Sequence, residues 1–252
     1  MHPDLAFALE LADLADAISL ERFQADDLVV ETKPDLSPVT EVDRAVEQAL
    51  RKRIAEARPG HGVVGEELGA EERGDARWIL DPIDGTKNYV RGIPVFGTLI
   101  ALQRDGVVVV GVVSAPALRR RWWAARGAGA FAGGRPIRVS RVAELGDAVL
   151  AYSSLGSWQE HGLGERFTAL ARRCWRTRGF GDFWSHMLVA EGAADVATEL
   201  EVSVWDLAPL QVIVEEAGGR FTDLSGVARP DGGSAVTSNG LLHDRVLEIL
   251  WP

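Results

Sequence analysis

Two aspartates three positions apart, Asp81 and Asp84, stand in the stretch Trp78-Ile79-Leu80-Asp81-Pro82-Ile83-Asp84-Gly85-Thr86-Lys87-Asn88-Tyr89. Carboxylate oxygens suit hard cations such as Mg²⁺. The letters predict a buried strand over Trp78 to Leu80 that breaks at Pro82 and turns at Gly85. A sharp turn there lets Asp81, Asp84 and the carbonyl of Ile83 reach one small volume. Gly85 lets the chain pass close to a ligand, so the amides and hydroxyl of Gly85 and Thr86 can hold a phosphate oxygen. An Asp-rich turn that only caps its own backbone would use the same residues. Three other stretches offer more acids. Glu66 follows the apolar pair Val63-Val64 in Gly65-Glu66-Glu67. Asp206 follows Trp205 at the head of an apolar pattern, a position that also suits a helix cap or first-turn acid. The run from Lys33 through Pro38 to Asp43 reads as a mobile loop entering a helix, with Asp43 a site residue or a solvated acid on that helix.

In this order and spacing the stretches resemble the inositol monophosphatase family of metal-dependent phosphatases. Its marks are a G-E-E turn, a D-P-x-D-G-T-x-N block opened by Trp, and a W-D-x-A block leading to A-G-G, here Ala217-Gly218-Gly219. The resemblance covers nearly the whole chain. Within the family, Arg178-Gly179-Phe180-Gly181-Asp182-Phe183 through Ala190-Glu191-Gly192 looks most like the histidinol-phosphate phosphatase branch. The resemblance implies an α+β fold, the layered α-β-α-β-α sandwich of the inositol monophosphatase and fructose-1,6-bisphosphatase type. It implies Glu66, Asp81, the Ile83 carbonyl, Asp84 and Asp206 as metal ligands, and a homodimer. It also implies Thr86 orienting a water while Asp43 accepts the Thr86 hydroxyl, with Lys33 as a mobile electrostatic cover over the metals. Glu199, six residues before Trp205, falls where the family places a carboxylate that contacts the non-phosphate part of the substrate. Asp182, Arg178 and Trp205 are expected beside it, although Asp182 could equally cap its helix, and Trp205, Phe183 and Trp184 could equally be core.

Glu66, Asp81, Asp84 and Asp206 carry more negative charge than one Mg²⁺ neutralises, so two or three ions are expected. Ions about 3.5–4 Å apart can activate a water and stabilise the leaving oxygen in an in-line displacement. Aspartates that bind metal are poor nucleophiles, which leaves water for that part. Three functions follow: hydrolysis of L-histidinol phosphate in histidine biosynthesis, hydrolysis of inositol 1-phosphate or other sugar phosphates, or metal or phosphate sensing without catalysis. The complete acid set speaks against the last. Departures from the family's pattern are few: Pro209 follows Ala208 where a small residue is commoner.

The elements that must position these residues read as mixed α and β. With 252 residues, 46% hydrophobic and 25% charged, the chain can build a sizeable core. A formal charge of −10 argues against a nucleic-acid or anionic-membrane partner; the partner the family resemblance implies is a small phosphate ester. The charge also asks for cations wherever a phosphate ester binds. The one cysteine, Cys174, reads as a packed side chain. The N-terminus lacks the basic-then-apolar pattern of a signal peptide, and the apolar run Val107 to Leu118 is broken and short of the ~20 residues of a membrane span, so a cytoplasmic location is expected. Helical spacing marks Asp4 to about Gln24 and a second helix capped by Thr40. Gly69 to Ala76 reads as a surface loop. Phe96 to Gln103 and Val107 to Ser114 read as a hairpin about Asp105-Gly106, continued by Trp122 to Ala125. A boundary near 145 divides the chain into an N-terminal half, 1–145, with most of the metal ligands, and a C-terminal half, 146–252, with Asp206 and the recognition residues. The second half reads as strands at 148–153, 175–180, 194–200, 220–223 and 235–238 among helices at 162–173, 183–191, 206–217 and 241–250.

Overall fold

A computed structural model describes residues 2–34 and 36–251. The chain opens with α1 (Pro3–Arg22), whose Leu5, Ala8, Leu11, Ala12 and Ala15 recur at helical spacing and are buried. A small ribbon, β1 (Val30–Thr32) paired with β2 (Pro38–Thr40), replaces the expected loop; Asp35, within that stretch, lies outside the described residues. Thr40 caps α2 (Glu41–Ala57) by accepting from the Val42 and Asp43 amides, and Asp43 closes the box by accepting from the Thr40 amide. Next come β3 (Gly62–Gly65), β4 (Gly69–Glu71) and β5 (Ala76–Asp84). The expected 69–76 loop thus contains an exposed edge strand.

The strand expected to end at Pro82 instead continues to Asp84. After α3 (Thr86–Val90), β6 (Gly97–Arg104) pairs antiparallel with β5, Asp81 opposite Leu99 and Asp84 opposite Gly97. Pro82 and Ile83 therefore face the single Thr98, whose hydroxyl donates to the Pro82 carbonyl at 2.8 Å. Pro82 has no N–H to give the ladder, and a bulge is where a sheet tolerates that. The bulge has a consequence for the site. Residues three apart on a regular strand point to opposite faces, and the extra residue brings Asp81 and Asp84 to the same side.

The meander continues with β7 (Val107–Ala115), β8 (Arg120–Ala125), β9 (Ala130–Ala132) and β10 (Arg135–Pro136). Asp105 and Gly106 join β6 to β7 with φ of 48° and 77°, the two positive angles of a tight hairpin turn. The rest of the chain is β11 (Val149–Tyr152), α4 (Leu155–Glu160), α5 (Gly164–Arg173), β12 (Arg176–Arg178), α6 (Asp182–Ala190), β13 (Val196–Leu200), α7 (Val204–Glu216), β14 (Arg220–Thr222), β15 (Ser234–Ser238) and α8 (His243–Leu250). Gly218, with φ of 86°, stops α7 where a glycine was expected.

An eight-stranded sheet, ordered β10-β9-β8-β7-β6-β5-β3-β4, takes its strands from before residue 145, and a five-stranded sheet, β12-β11-β13-β15-β14, takes its strands from after it. Buried side chains of α1 and α2 cover one face of the large sheet through Trp78, Leu80, Ile100 and Val112. Phe183 and Met187 of α6 and Leu210, Ile213 and Val214 of α7 pack between Ile79, Leu99 and Val113 of that sheet and Phe221 and Ala235 of the small one. Trp158, Phe167, Leu170 and Val246 then cover the outer face of the small sheet. This gives five layers, α-β-α-β-α. Among the described residues no helix is long and apolar enough to cross a membrane.

Candidate active site

The β5 bulge and the first turn of α7 meet between the layers. Ligand oxygens of Asp81, Asp84 and Asp206 all lie within 4.8 Å of one another. Asp81 is buried, and its Oδ1 has no hydrogen-bond partner. The Phe183 amide at the head of α6 donates to Asp84 Oδ2 at 2.8 Å. The Ser203 amide donates to Asp206 Oδ2 at 2.6 Å, so Asp206 closes the capping box that Ser203 opens at the head of α7. Burial first, and then the neighbouring acids, push Asp81 and Asp84 well above the usual carboxylate range. Burial, with Glu66 and Glu199 nearby, raises Asp206 to about 7. No Lys or Arg among the described ion pairs neutralises the three. Crowded hard-oxygen donors, one of them an orphaned buried atom, fit a divalent cation.

Glu66 stands just outside this trio. Its amide donates to the Leu80 carbonyl at 3.2 Å, and its charge bears on Asp81 and Asp206. Its carboxylate, however, accepts from Lys33 Nζ at 2.8 Å, and the same ammonium reaches Glu67 at 2.6 Å. Lys33 therefore lies beside the acids, clasping two of them. Sequence reasoning missed the support under this turn. Glu47 is fully buried on α2, and its carboxylate accepts from the Glu67 and Leu68 amides at 2.8 and 3.2 Å and from Arg51 at 2.8 Å. A Cβ at Gly65 would meet Glu47 Oε1 at 2.0 Å, so any larger residue there would displace the carboxylate that holds this turn. The Glu47-Arg51 spacing of four was the available signal.

Thr86 follows Gly85, whose φ of 81° turns the chain out of β5. Thr86 Oγ1 is 2.9 Å from the Ile83 carbonyl and 3.1 Å from Asp43 Oδ1. Asp43 is not solvated: it is fully buried, and burial raises it while the hydrogen bonds from Thr40 and Thr86 act the other way.

A cavity of about 490 Å³ opens over these groups, lined by Glu66, Thr86, Lys87, Asn88, Ser153 and Asp182 among others. A second, about 190 Å³, shares Lys87, Ser153 and Asp182 and adds Glu199 and Glu201. Asp182 does not cap its helix, since Gly181 holds that position. Asp182 Oδ1 accepts from Ser153 at 3.2 Å and Oδ2 from Asn88 at 3.3 Å. Burial and then Glu199 push its carboxyl up to about 6. Glu199 Oε2 lies 3.2 Å from Nε2 of His186, a fully buried histidine that the sequence did not flag. The remaining recognition candidates lie elsewhere. Arg178 is exposed on the edge strand β12 and donates to the Thr177 carbonyl, one residue before cavity-lining Gly179. Trp205 is half-buried against the core between the sheets. Phe183 is core, and Trp184 packs on Phe180 with ring centroids 5.1 Å apart. Cys174 is half-buried, and burial raises its thiol to about 11, in keeping with a packed, unreactive side chain.

A five-layer α+β sandwich with buried carboxylates beneath a polar cavity defines a class of phosphoric monoester hydrolases. The chain matches the inositol monophosphatase family over residues 1–252 and belongs to it, a family of hydrolytic phosphatases. A histidinol-phosphatase of Mycobacterium tuberculosis is 61% identical, the match covering 98% of this chain and 97% of that protein. One from Streptomyces coelicolor is 52% identical over 98% and 96% of the two chains. Among solved structures, an IMPase of Thermotoga maritima superposes with a TM-score of 0.88 at 34% identity, covering 98% of this chain and 96% of the other. An inositol monophosphatase from Zymomonas mobilis gives 0.87 at 32%, covering 98% and 97%.

Proposed function

We propose that this phosphatase hydrolyses L-histidinol phosphate to L-histidinol and phosphate with Mg²⁺ as cofactor, acting in the cytoplasm in histidine biosynthesis as a homodimer. The observation that carries the substrate is that two carboxylates, Asp182 and Glu199, line one cavity beside the acidic cluster, where a cationic tail would sit. The high identity to two proteins named histidinol-phosphatase supports the same reading.

Asp81, Asp84, Asp206 and the Ile83 carbonyl would hold the cations, joined by Glu66 once Lys33 releases it. When bound, the ions supply the electrophile that stabilises charge on the phosphoryl and leaving oxygens. The chain's own residues do the rest. The single proton of Thr86 goes to Asp43 or to the Ile83 carbonyl, which leaves a lone pair on Oγ1 to accept from a water and aim it. Lys33 and Lys87 bring positive charge to an otherwise acidic rim. Asp182 and Glu199 accept from the ammonium and imidazole of the substrate.

Phosphate release from histidinol phosphate and inositol 1-phosphate tests this. Histidinol phosphate should be preferred in kcat/KM by about 10–100-fold or more, since a single charged contact at about 1.5–3 kcal/mol is worth that much and a second adds to it. Asp182→Asn and Glu199→Gln should erode that preference by slowing the cationic substrate. A preference for inositol 1-phosphate in the wild type would sink the substrate assignment and leave the phosphatase intact. Excess chelator should abolish turnover, and undiminished activity would remove the metal from the reading.

A further inference from the structure

Glu199 does not stand alone in its cavity. His186 on α6 is fully buried, with Nε2 3.2 Å from Glu199 Oε2 on β13 and Nδ1 2.7 Å from Thr237 Oγ1 on β15. Thr237 is also fully buried. A bare Nε2 facing a carboxylate oxygen would set two acceptors against each other at a fully buried ring. Nε2 therefore carries a proton toward Glu199, and in the neutral ring Nδ1 is left to accept the Thr237 hydroxyl. The bonds run in one direction, Thr237 O–H to Nδ1 and Nε2–H to Glu199. They fix one carboxylate oxygen and leave the other for the cavity. Helix α6 also carries Asp182 at its first residue, one turn before His186, so a single element sets both acids of the pocket.

From this geometry we propose that His186, oriented by Thr237, is a positioning residue that sets substrate specificity by holding Glu199 toward the cationic end of the substrate. The role deepens the histidinol-phosphate reading and rests on it. A carboxylate free to rotate would lose part of its contact with a substrate cation, since aim is what a preorganised polar group contributes.

The experiment compares kcat/KM for histidinol phosphate with that for glycerol 2-phosphate, whose tail is neutral, in the wild type and three variants. His186→Leu should lower the ratio by about tenfold, the scale of one charge-assisted hydrogen bond made loosely, with the loss in KM for the cationic substrate. His186→Gln places an amide donor near the Nε2 position and should restore most of the ratio. Thr237→Val, nearly isosteric, removes the hydroxyl that fixes the tautomer and should lower the ratio by a smaller factor. A wild-type preference that persists in His186→Leu, or a loss shared equally by both substrates, overturns the role alone. If His186→Leu does not fold, an unchanged ratio in Thr237→Val overturns the role and a fall there, with the ratio kept in His186→Gln, supports it. A wild-type ratio near one overturns the substrate reading itself, and this role with it.

Discussion

Thr86 has one hydroxyl proton and two acceptors, the Ile83 carbonyl and the buried Asp43. Removing the hydroxyl should cost turnover and spare binding. Thr86→Ala should lower kcat by about 10²-fold or more with KM little changed, because aiming a water is a transition-state effect. Steady-state kinetics decide this, and a loss confined to KM would remove Thr86 from the role. Asp84 makes a second case. Burial and its acidic neighbours, Asp182 first among them, raise its carboxyl well above the usual range. Asp84→Asn keeps an acceptor for the Phe183 amide and deletes a charge. The metal-free variant should therefore melt no lower than metal-free wild type, and Mg²⁺ should raise the melting temperature of wild type alone. An unfolded variant would make Asp84 structural. Asp81, Asp84 and Asp206 could be found in the sequence because each sits in a short local motif. The roles of Glu47 and His186 could not, because the partners that give them, Glu67 and Thr237, lie 20 and 51 residues away and only the fold joins them; the spacing of Glu47 to Arg51 marks a helix-face pair and nothing more.

Two elements aim the acids, and each does so through a local irregularity. In β5 it is the Pro82 bulge, which turns Asp81 and Asp84 to one side. In α7 it is the close approach of the helix to the large sheet at Pro209, which is buried inside the helix. A Cβ built on Gly111 of β7 would meet Val212 Cγ1 at 2.5 Å, the Pro209 carbonyl at 2.7 Å and Pro209 Cα at 3.0 Å. The helix backbone lies directly on that glycine, and Asp206 rides three residues before Pro209. Gly111→Ala should push α7 outward, cost about 1–3 kcal/mol as overpacking does, and raise the Mg²⁺ concentration for half-maximal activity by carrying Asp206 away from its partners. Thermal melts and a Mg²⁺ titration check both parts; an unchanged melting temperature would mean the contact yields without strain. The Thr40 cap, the Asp105-Gly106 turn and the Gly218 stop were legible because each uses a residue type its backbone geometry demands. The bulge was not, since Pro82 reads locally as a strand end and only pairing with β6 carries the strand past it. The strands β1, β2 and β4 were hidden for a related reason: they are three-residue elements made by pairing, with no apolar alternation of their own.

In the whole molecule, alternating strands and helices could be read from periodicity, whereas the stacking of two sheets with α6 and α7 between them came only from resemblance, because spacing says nothing about which faces meet. The small sheet and its outer helix are tied together by a second buried histidine. His243 at the start of α8 bonds Ser238 on β15 through Nδ1 and Thr222 on β14 through Nε2, each at 2.9 Å. Burial, helped by the charge of Arg220, pushes its imidazole down to about 4. The unfolded chain, with an ordinary histidine near 6.5, then binds more protons than the folded chain between those two values. Stability from this group is fully present above about pH 6.5 and is lost as the pH falls toward about 4, by on the order of 3 kcal/mol in all. Asp182, raised to about 6, and Asp206, raised to about 7, act with the opposite sign in metal-free protein, gaining stability as the pH falls. The two effects separate by difference. Denaturant unfolding of Mg²⁺-saturated wild type and His243→Gln, followed from pH 7.5 to 4.5, should show wild type losing more stability than the variant across that range. Parallel curves would mean that His243 takes up its proton in the folded protein as readily as in the unfolded chain.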